Sequence, residues 1–188
     1  MVGGKKNVEV KKKNKKIFAC ALALILAGVA PGVYASSGPS TRRTVEERVR
    51  HELAMLPYYN VFDNLSFRVD DGAVTLFGEV TRPVVKDDAV RAVKRVEGVT
   101  AVNDQIEVLP LSPFDNQIRR STYRAIYGFP ALQRYALGVV PSIHIIVKNG
   151  HVALEGVVAT EQDKQMAFMR ANGVPNVFSV DNHLRVQS

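Results

Sequence analysis

The side chains able to do chemistry in this sequence fall into a few groups. His144, His151 and His183 lie close together in the second half, and imidazoles on neighbouring strands can ligate zinc. In the hairpin derived below, however, His144 faces Glu155 and His151 faces Lys148, so the rings are offset along the sheet and no cysteine is near. That spacing predicts exposed strand histidines and no metal site. His51 falls on a polar helix face and needs no role. Asp70, Asp71, Asp87 and Asp88 raise the question of calcium or acid–base pairs. Asp71 is accounted for by a turn, and Asp87 and Asp88 fall near a helix start, where carboxylates favour the dipole. No spacing matches a calcium loop, and there is no G-x-S-x-G and no phosphate loop. The expectation is a non-catalytic chain with no cofactor.

What remains is a run of arginines and aromatic residues: Arg119, Arg120, Tyr123, Arg124, Tyr127, Phe129, Arg134 and Tyr135. Read as one basic–aromatic helix over 118–135, it is the best interaction candidate. Guanidinium groups can meet phosphates while aromatic rings sit at headgroup depth. The competing reading has the tyrosines closing a seam between domains and the arginines solvated. Met166 and Met169 either widen the same apolar surface or belong to a core.

The elements that must position these residues are written twice. "VDDGAVTLFGEV" (69–80) returns as "VKNGHVALEGVV" (147–158), at a constant offset of 78 that runs without a gap from Leu65/Ile143 to Ile106/Leu184. Asp71-Gly72 and Asn149-Gly150 are type I′ turn pairs, which need positive φ at both positions. Such a turn pairs Val69 with Val74 and Phe67 with Leu76, then Val147 with Val152 and Ile145 with Leu154, so apolar residues share one sheet face. Gly78 and Gly156 then fall opposite Leu65 and Ile143, and are expected to let a helix approach the sheet.

Each repeat reads helix–strand–strand–helix–strand. Thr44 with Glu47 makes a capping box ahead of a Val45, Val49, Leu53, Leu56 stripe. Val85, Ala89, Ala92, Val93 and Val96 form a second stripe that stops at Gly98. In the second repeat Ser112 is an N-cap with Pro113 following it, and Ile118, Thr122, Ala125 and Ile126 face inward. Thr160 with Asp163 opens a helix burying Ala167, Phe168 and Ala171, which ends at Gly173. The predicted class is α+β: two tandem αββαβ domains, 44–110 and 113–188, each a three-stranded sheet with helices on one face. The linker "LPLSP" keeps them close neighbours.

Charge must be read after the first 35 residues are set aside. They hold seven lysines, then an apolar run over 17–30, then Val33 and Ala35 ahead of Ser36. That is the layout of a secretory signal peptide, and the run is shorter than the about 20 residues a spanning helix needs. An uncleaved anchor is the alternative. Residues 36–43 read as a spacer. The chain has 25 Lys+Arg and 18 Asp+Glu; the leader accounts for seven and one, so the remainder is nearly neutral. The high pI therefore gives no argument for nucleic acid. Within the remainder, 36–112 carries net −2 and 113–188 net +3, so the second half is better suited to an anionic surface. Cys20, the single cysteine, lies inside the leader, so the exported part would hold no disulfide.

The motifs "FRVDDGAVTLFGEV" with "AVRAVKRVEGVTAVNDQIEV", and "HIIVKNGHVALEGVV" with "NGVPNVFSVDNHLRV", resemble the BON domain. The second copy departs by placing Asn176 where the first has Gly98. The positions carrying the likeness, Asp71, Gly72, Gly78, Gly98, Asn149, Gly150, Gly156 and Gly173 among them, are structural and silent on chemistry. The resemblance implies a non-catalytic, exported, periplasmic envelope protein, free or peripherally attached to a membrane, whose domains contact phospholipid or envelope proteins. Two partners are thus in view, an anionic phospholipid surface met through the second copy, or a protein met through sheet edges and the domain seam. The oligomeric state is not determined by the sequence.

Overall fold

In the computed structural model of the chain, residues 44–187 are described; the expected signal peptide and spacer lie outside them. The first repeat runs α1 (Val45–Ala54), β1 (Asn64–Asp70), β2 (Ala73–Val80), α2 (Pro83–Lys94) and β3 (Ala101–Val108). The second runs α3 (Pro113–Tyr127), a 3₁₀ helix (Pro130–Ala136), β4 (Ile143–Lys148), β5 (His151–Val158), α4 (Glu161–Asn172), β6 (Ser179–Asn182) and β7 (Arg185–Val186). Both repeats belong to one compact unit of the chain.

The hairpin register is the expected one. Val69 pairs with Val74 and Phe67 with Leu76; Val147 pairs with Val152 and Ile145 with Leu154. Asp71, Gly72, Asn149 and Gly150 all have positive φ, between 48° and 83°, as a type I′ turn requires. The last strand of each repeat, which the sequence could not place, lies parallel to the second strand of the hairpin, so β2 and β5 are central. A parallel pair needs a long crossover, supplied by α2 and α4.

Two expectations about the sheets are corrected. The carbonyl of Asn64, on the neighbouring strand, and not a helix, crowds Gly78, and that of Ser142 crowds Gly156; a Cβ would meet these oxygens at 2.1 and 2.0 Å. With φ of 115° and 118°, both positions exclude any side chain. The last strand of the second repeat is also not continuous. It breaks between β6 and β7, where Asn182 Oδ1 accepts from the Leu184 N–H and Leu184 turns inward to 1% exposure. This sheet therefore has four strand segments, β6 and β7 both pairing with β5.

The helix ends are partly as expected. Thr44 and Glu47 form a reciprocal capping box, and Ser112 accepts from Asp115 N–H. Thr160 caps α4, but the Asp163 carboxylate does not return to the cap backbone; it accepts from the Thr160 hydroxyl. Asp87 and Asp88 sit beyond the first turn of α2, and Asp88 pairs with Arg91. Gly173 has φ −81° and needs no glycine. The left-handed residue after α4 is Asn176 at φ 70°, in the place of Gly98 at φ 91°. Asparagine tolerates that region best after glycine, so the substitution keeps the geometry.

Each repeat buries its helices against one sheet face. Val49, Val74, Leu76, Val80, Val85, Ala89 and Val93 centre the first core. Ile118, Ile126, Leu132, Ile143, Ile145, Leu154 and Ala167 centre the second. Phe168 is only half-buried, Met166 packs against the second core and Met169 is exposed. Val61, from the loop between α1 and β1 of the first repeat, is 7% exposed inside the second core, with Phe62 beside it. The two cores are therefore not independent.

Candidate functional site

The arginine–aromatic run does not form one helix. α3 ends at Tyr127, Gly128 caps it, and Pro130 opens a separate 3₁₀ helix. A proline cannot continue a helix without losing a hydrogen bond. The eight candidates consequently divide into three places.

Arg119 and Tyr127 are buried, at 4% and 5% exposure. Arg119 Nη2 donates to the Val147 carbonyl at 2.6 Å and Nη1 to Asn116 Oδ1 at 2.7 Å, while its Nε has no partner among the described residues. Burial lowers the guanidinium pKa, opposed by the charges of Asp115 and Asp63. The Tyr127 hydroxyl donates to the Ile143 carbonyl at 2.5 Å, and burial raises its pKa well above that of a free phenol. Both side chains fasten α3 to β4. The correction has a sequence signal: Asp115, Ile118, Arg119, Thr122 and Ile126 are spaced three and four apart, which puts them on one helix face.

Arg134 and Tyr135 belong to a polar knot at the start of α4. Arg134 pairs with Asp163, and the Tyr135 hydroxyl donates to Asp163 at 2.9 Å and accepts from Ala159 N–H at 2.8 Å. Burial alone would raise the Asp163 pKa, but bonds from Thr160 and Tyr135 and the Arg134 charge outweigh it and hold it low. Phe129 lies under the Arg170 guanidinium, 5.2 Å from the ring centre. All three make contacts within the second repeat, although the Arg134 side chain stays half-exposed.

Arg120, Tyr123 and Arg124 remain on the outer side of α3, the arginines exposed and the tyrosine half-buried. They line a groove of about 980 Å³ whose opposite wall comes from the first repeat, including Tyr58, Phe62 and Arg82. Arg119 also reaches it, and no carboxylate lines it. Tyr123 packs between Phe62 and Tyr127, with ring centres at 6.2 and 4.9 Å. Arg82 lies 5.8 Å from the Tyr58 ring centre, and Tyr58 is held at φ 67°. Sequence reasoning missed Tyr58 and Arg82, because only the packing of the α1–β1 loop and of the β2–α2 junction brings them opposite α3.

The loop is held by Asp63, also missed. Its side chain is fully buried, accepting from Thr81 N–H and hydroxyl at 2.6 and 2.7 Å and from Asn60 N–H and Nδ2 at 3.1 and 2.8 Å. Its carbonyl accepts from His144 Nδ1 at 2.6 Å, and the His144 ring packs 5.7 Å from that of Tyr59. Burial lowers the His144 pKa and pushes the Tyr59 phenol up to about 12. His144 is therefore a half-buried seam residue, not the exposed strand histidine expected. His151 meets Ser179 and His183 meets Glu155. Among the described residues no group of three His, Cys, Asp or Glu could hold a metal, and no helix is long and apolar enough to cross a membrane.

Two repeats of a glycine-turned hairpin with a crossover helix and a parallel third strand define a tandem αββαβ protein. The BON domain family matches residues 41–110 and 135–188, and the chain belongs to it. Osmotically-inducible protein Y of Escherichia coli (strain K12) is 30% identical over 132 residues, covering 66% of this chain and 62% of that protein, less than two thirds of its length. Two solved structures of CdsD, a structural protein of the type III secretion system of Chlamydia trachomatis, cover 76% and 75% of this chain and 92% and 96% of theirs. Their identities are 11% and 12% and their TM-scores 0.31 and 0.26, too low to carry an argument.

Proposed function

We propose that this protein is a non-catalytic envelope protein that binds anionic phospholipid surfaces, with a role in envelope integrity under stress. The observation carrying the reading is the groove between the repeats, with arginines on both walls, aromatic rings beside them and no carboxylate. Arg82, Arg120 and Arg124 suit phosphate oxygens, and Tyr58 and Tyr123 suit the headgroup layer. Kinship with an osmotically inducible protein and the secretory layout of the leader support an export and stress setting.

The test is co-sedimentation of the full chain with neutral and with anionic vesicles at low and high salt. Binding to anionic vesicles only, weakened by salt and by Arg120→Glu with Arg124→Glu, is expected. Equal binding to neutral vesicles, or none to either, would sink the reading. Arg119 is left intact, since its loss would act through folding.

A further inference from the structure

We propose that the open edge of β1 takes up an extended peptide carrying acidic side chains, which adds to the first sheet as a fourth strand. This goes beyond the lipid reading and uses a different face. In a two-residue hairpin the residues flanking the turn form a hydrogen-bonded pair, and such pairs then alternate along the strand. The registers Asp70↔Ala73, Arg68↔Thr75 and Ser66↔Phe77 therefore consume those residues' backbone groups. Phe67 and Val69 direct theirs away from β2, toward the edge.

The second repeat shows what normally happens to such groups. Phe67 and Val69 correspond, at the offset of 78, to Ile145 and Val147 of β4. There the Ile145 N–H donates to the Val61 carbonyl at 2.8 Å, and the Val147 carbonyl accepts from Arg119. The chain itself thus satisfies this edge, with the carbonyl of a turn residue and an arginine side chain. Among the described residues nothing bonds to the outward groups of Phe67 and Val69. A long open edge is a template for strand addition unless it is blocked, and β1 contains no proline, bulge or lysine that would block it.

The surroundings select the occupant. A cleft of about 570 Å³ runs along β1. Leu53, Leu65 and Phe67 give it apolar floor, and its rim carries Arg50, Arg68 and Arg185 against the single carboxylate Glu46. Arg68 has a contact of 3.5 Å to Asp70; among the described residues Arg50 and Arg185 have no acidic partner within salt-bridge distance. Main-chain bonds to Phe67 and Val69 would hold any extended segment, while the arginines favour one with carboxylates at alternate positions.

The full chain, ¹⁵N-labelled, should be titrated with a hexapeptide alternating valine and aspartate, followed by amide shifts. Saturable shifts at Phe67 and Val69, with Ile145 and Val147 unmoved, are expected. Backbone N-methylation of the peptide along one edge should abolish them. Val69→Pro, which removes an outward donor and alters a side chain packed against the first core, should weaken binding about tenfold, and Arg50→Glu with Arg185→Glu should do likewise should the proline variant fail to fold. No shifts at millimolar peptide, equal binding of the N-methylated peptide, or peptide-free self-association through β1 would each overturn the proposal.

Discussion

β1 and β4 hold the same place in the two repeats and share a turn and a register, yet β4 is sealed while β1 is open at Phe67 and Val69. Tyr127 covers the Ile143 carbonyl, Val61 the Ile145 amide and Arg119 the Val147 carbonyl. Asp115 accepts from the Asn149 and Gly150 amides at 3.0 and 2.8 Å. Three of the four contributors come from α3, which has 15 residues where α1 has 10. The longer helix spans the hairpin from its turn to its base, whereas α1 places Leu53 and Ala54 beside a cleft. The fourth contributor, Val61, is lent by the first repeat. The same hairpin thus becomes part of a core in one copy and a free surface in the other, according to what the preceding helix reaches.

That contrast can be broken in order of effect. Val61→Asp should cost most, about 4 kcal/mol, because it places an unpaired carboxylate in the second core. Its signature in urea unfolding is a lowered midpoint with the second repeat exposed first. Arg119→Met should cost about 2 kcal/mol by leaving the Val147 carbonyl unsatisfied, and it makes β4 resemble β1. Faster amide exchange along β4, with β1 unchanged, is the accompanying result; uniform exchange changes in both repeats would contradict the sealing role. Tyr127→Phe removes one hydrogen bond and should cost about 1 kcal/mol, read as a small shift of the same midpoint.

The smallest effect concerns pH. His144 has a folded-state pKa below its ordinary value of 6.5, so the unfolded chain binds its proton first. Stability from this group is complete above about 6.5 and declines as pH falls below it. His144→Asn keeps a donor for the Asp63 carbonyl but cannot titrate. Its unfolding midpoint should be flatter than the wild type's between pH 7 and 5; parallel profiles would show that His144 does not matter to the seam. At lower pH, Asp163 adds a separate loss, since its carboxyl is held below its ordinary value.

The site was less legible than the fold. Arg120, Tyr123 and Arg124 could be read as outward-facing because they lie off the Ile118–Thr122–Ile126 stripe. Arg119 and Tyr127 group with them by polarity alone, although their spacing puts them beside that stripe, and the fold buries both. Asp63, Tyr58 and Arg82 carry no local pattern. Their roles depend on the α1–β1 loop and the β2–α2 junction meeting the other repeat, contacts between residues far apart in the chain.

The sequence by itself determined the duplication, the turns, the strand register and most helix ends, because each rests on interactions a few residues apart: φ at Asp-Gly and Asn-Gly, alternation about the turn, caps within one helical turn. Only the tertiary structure decided where β3 and β6 lie, why Gly78 and Gly156 admit no side chain, which arginines are structural and which edge stays open. Those outcomes follow from long-range contacts, the crossover of α2 and α4, the reach of α3 and the insertion of Val61. A side chain's role there is set by what another part of the chain brings to it.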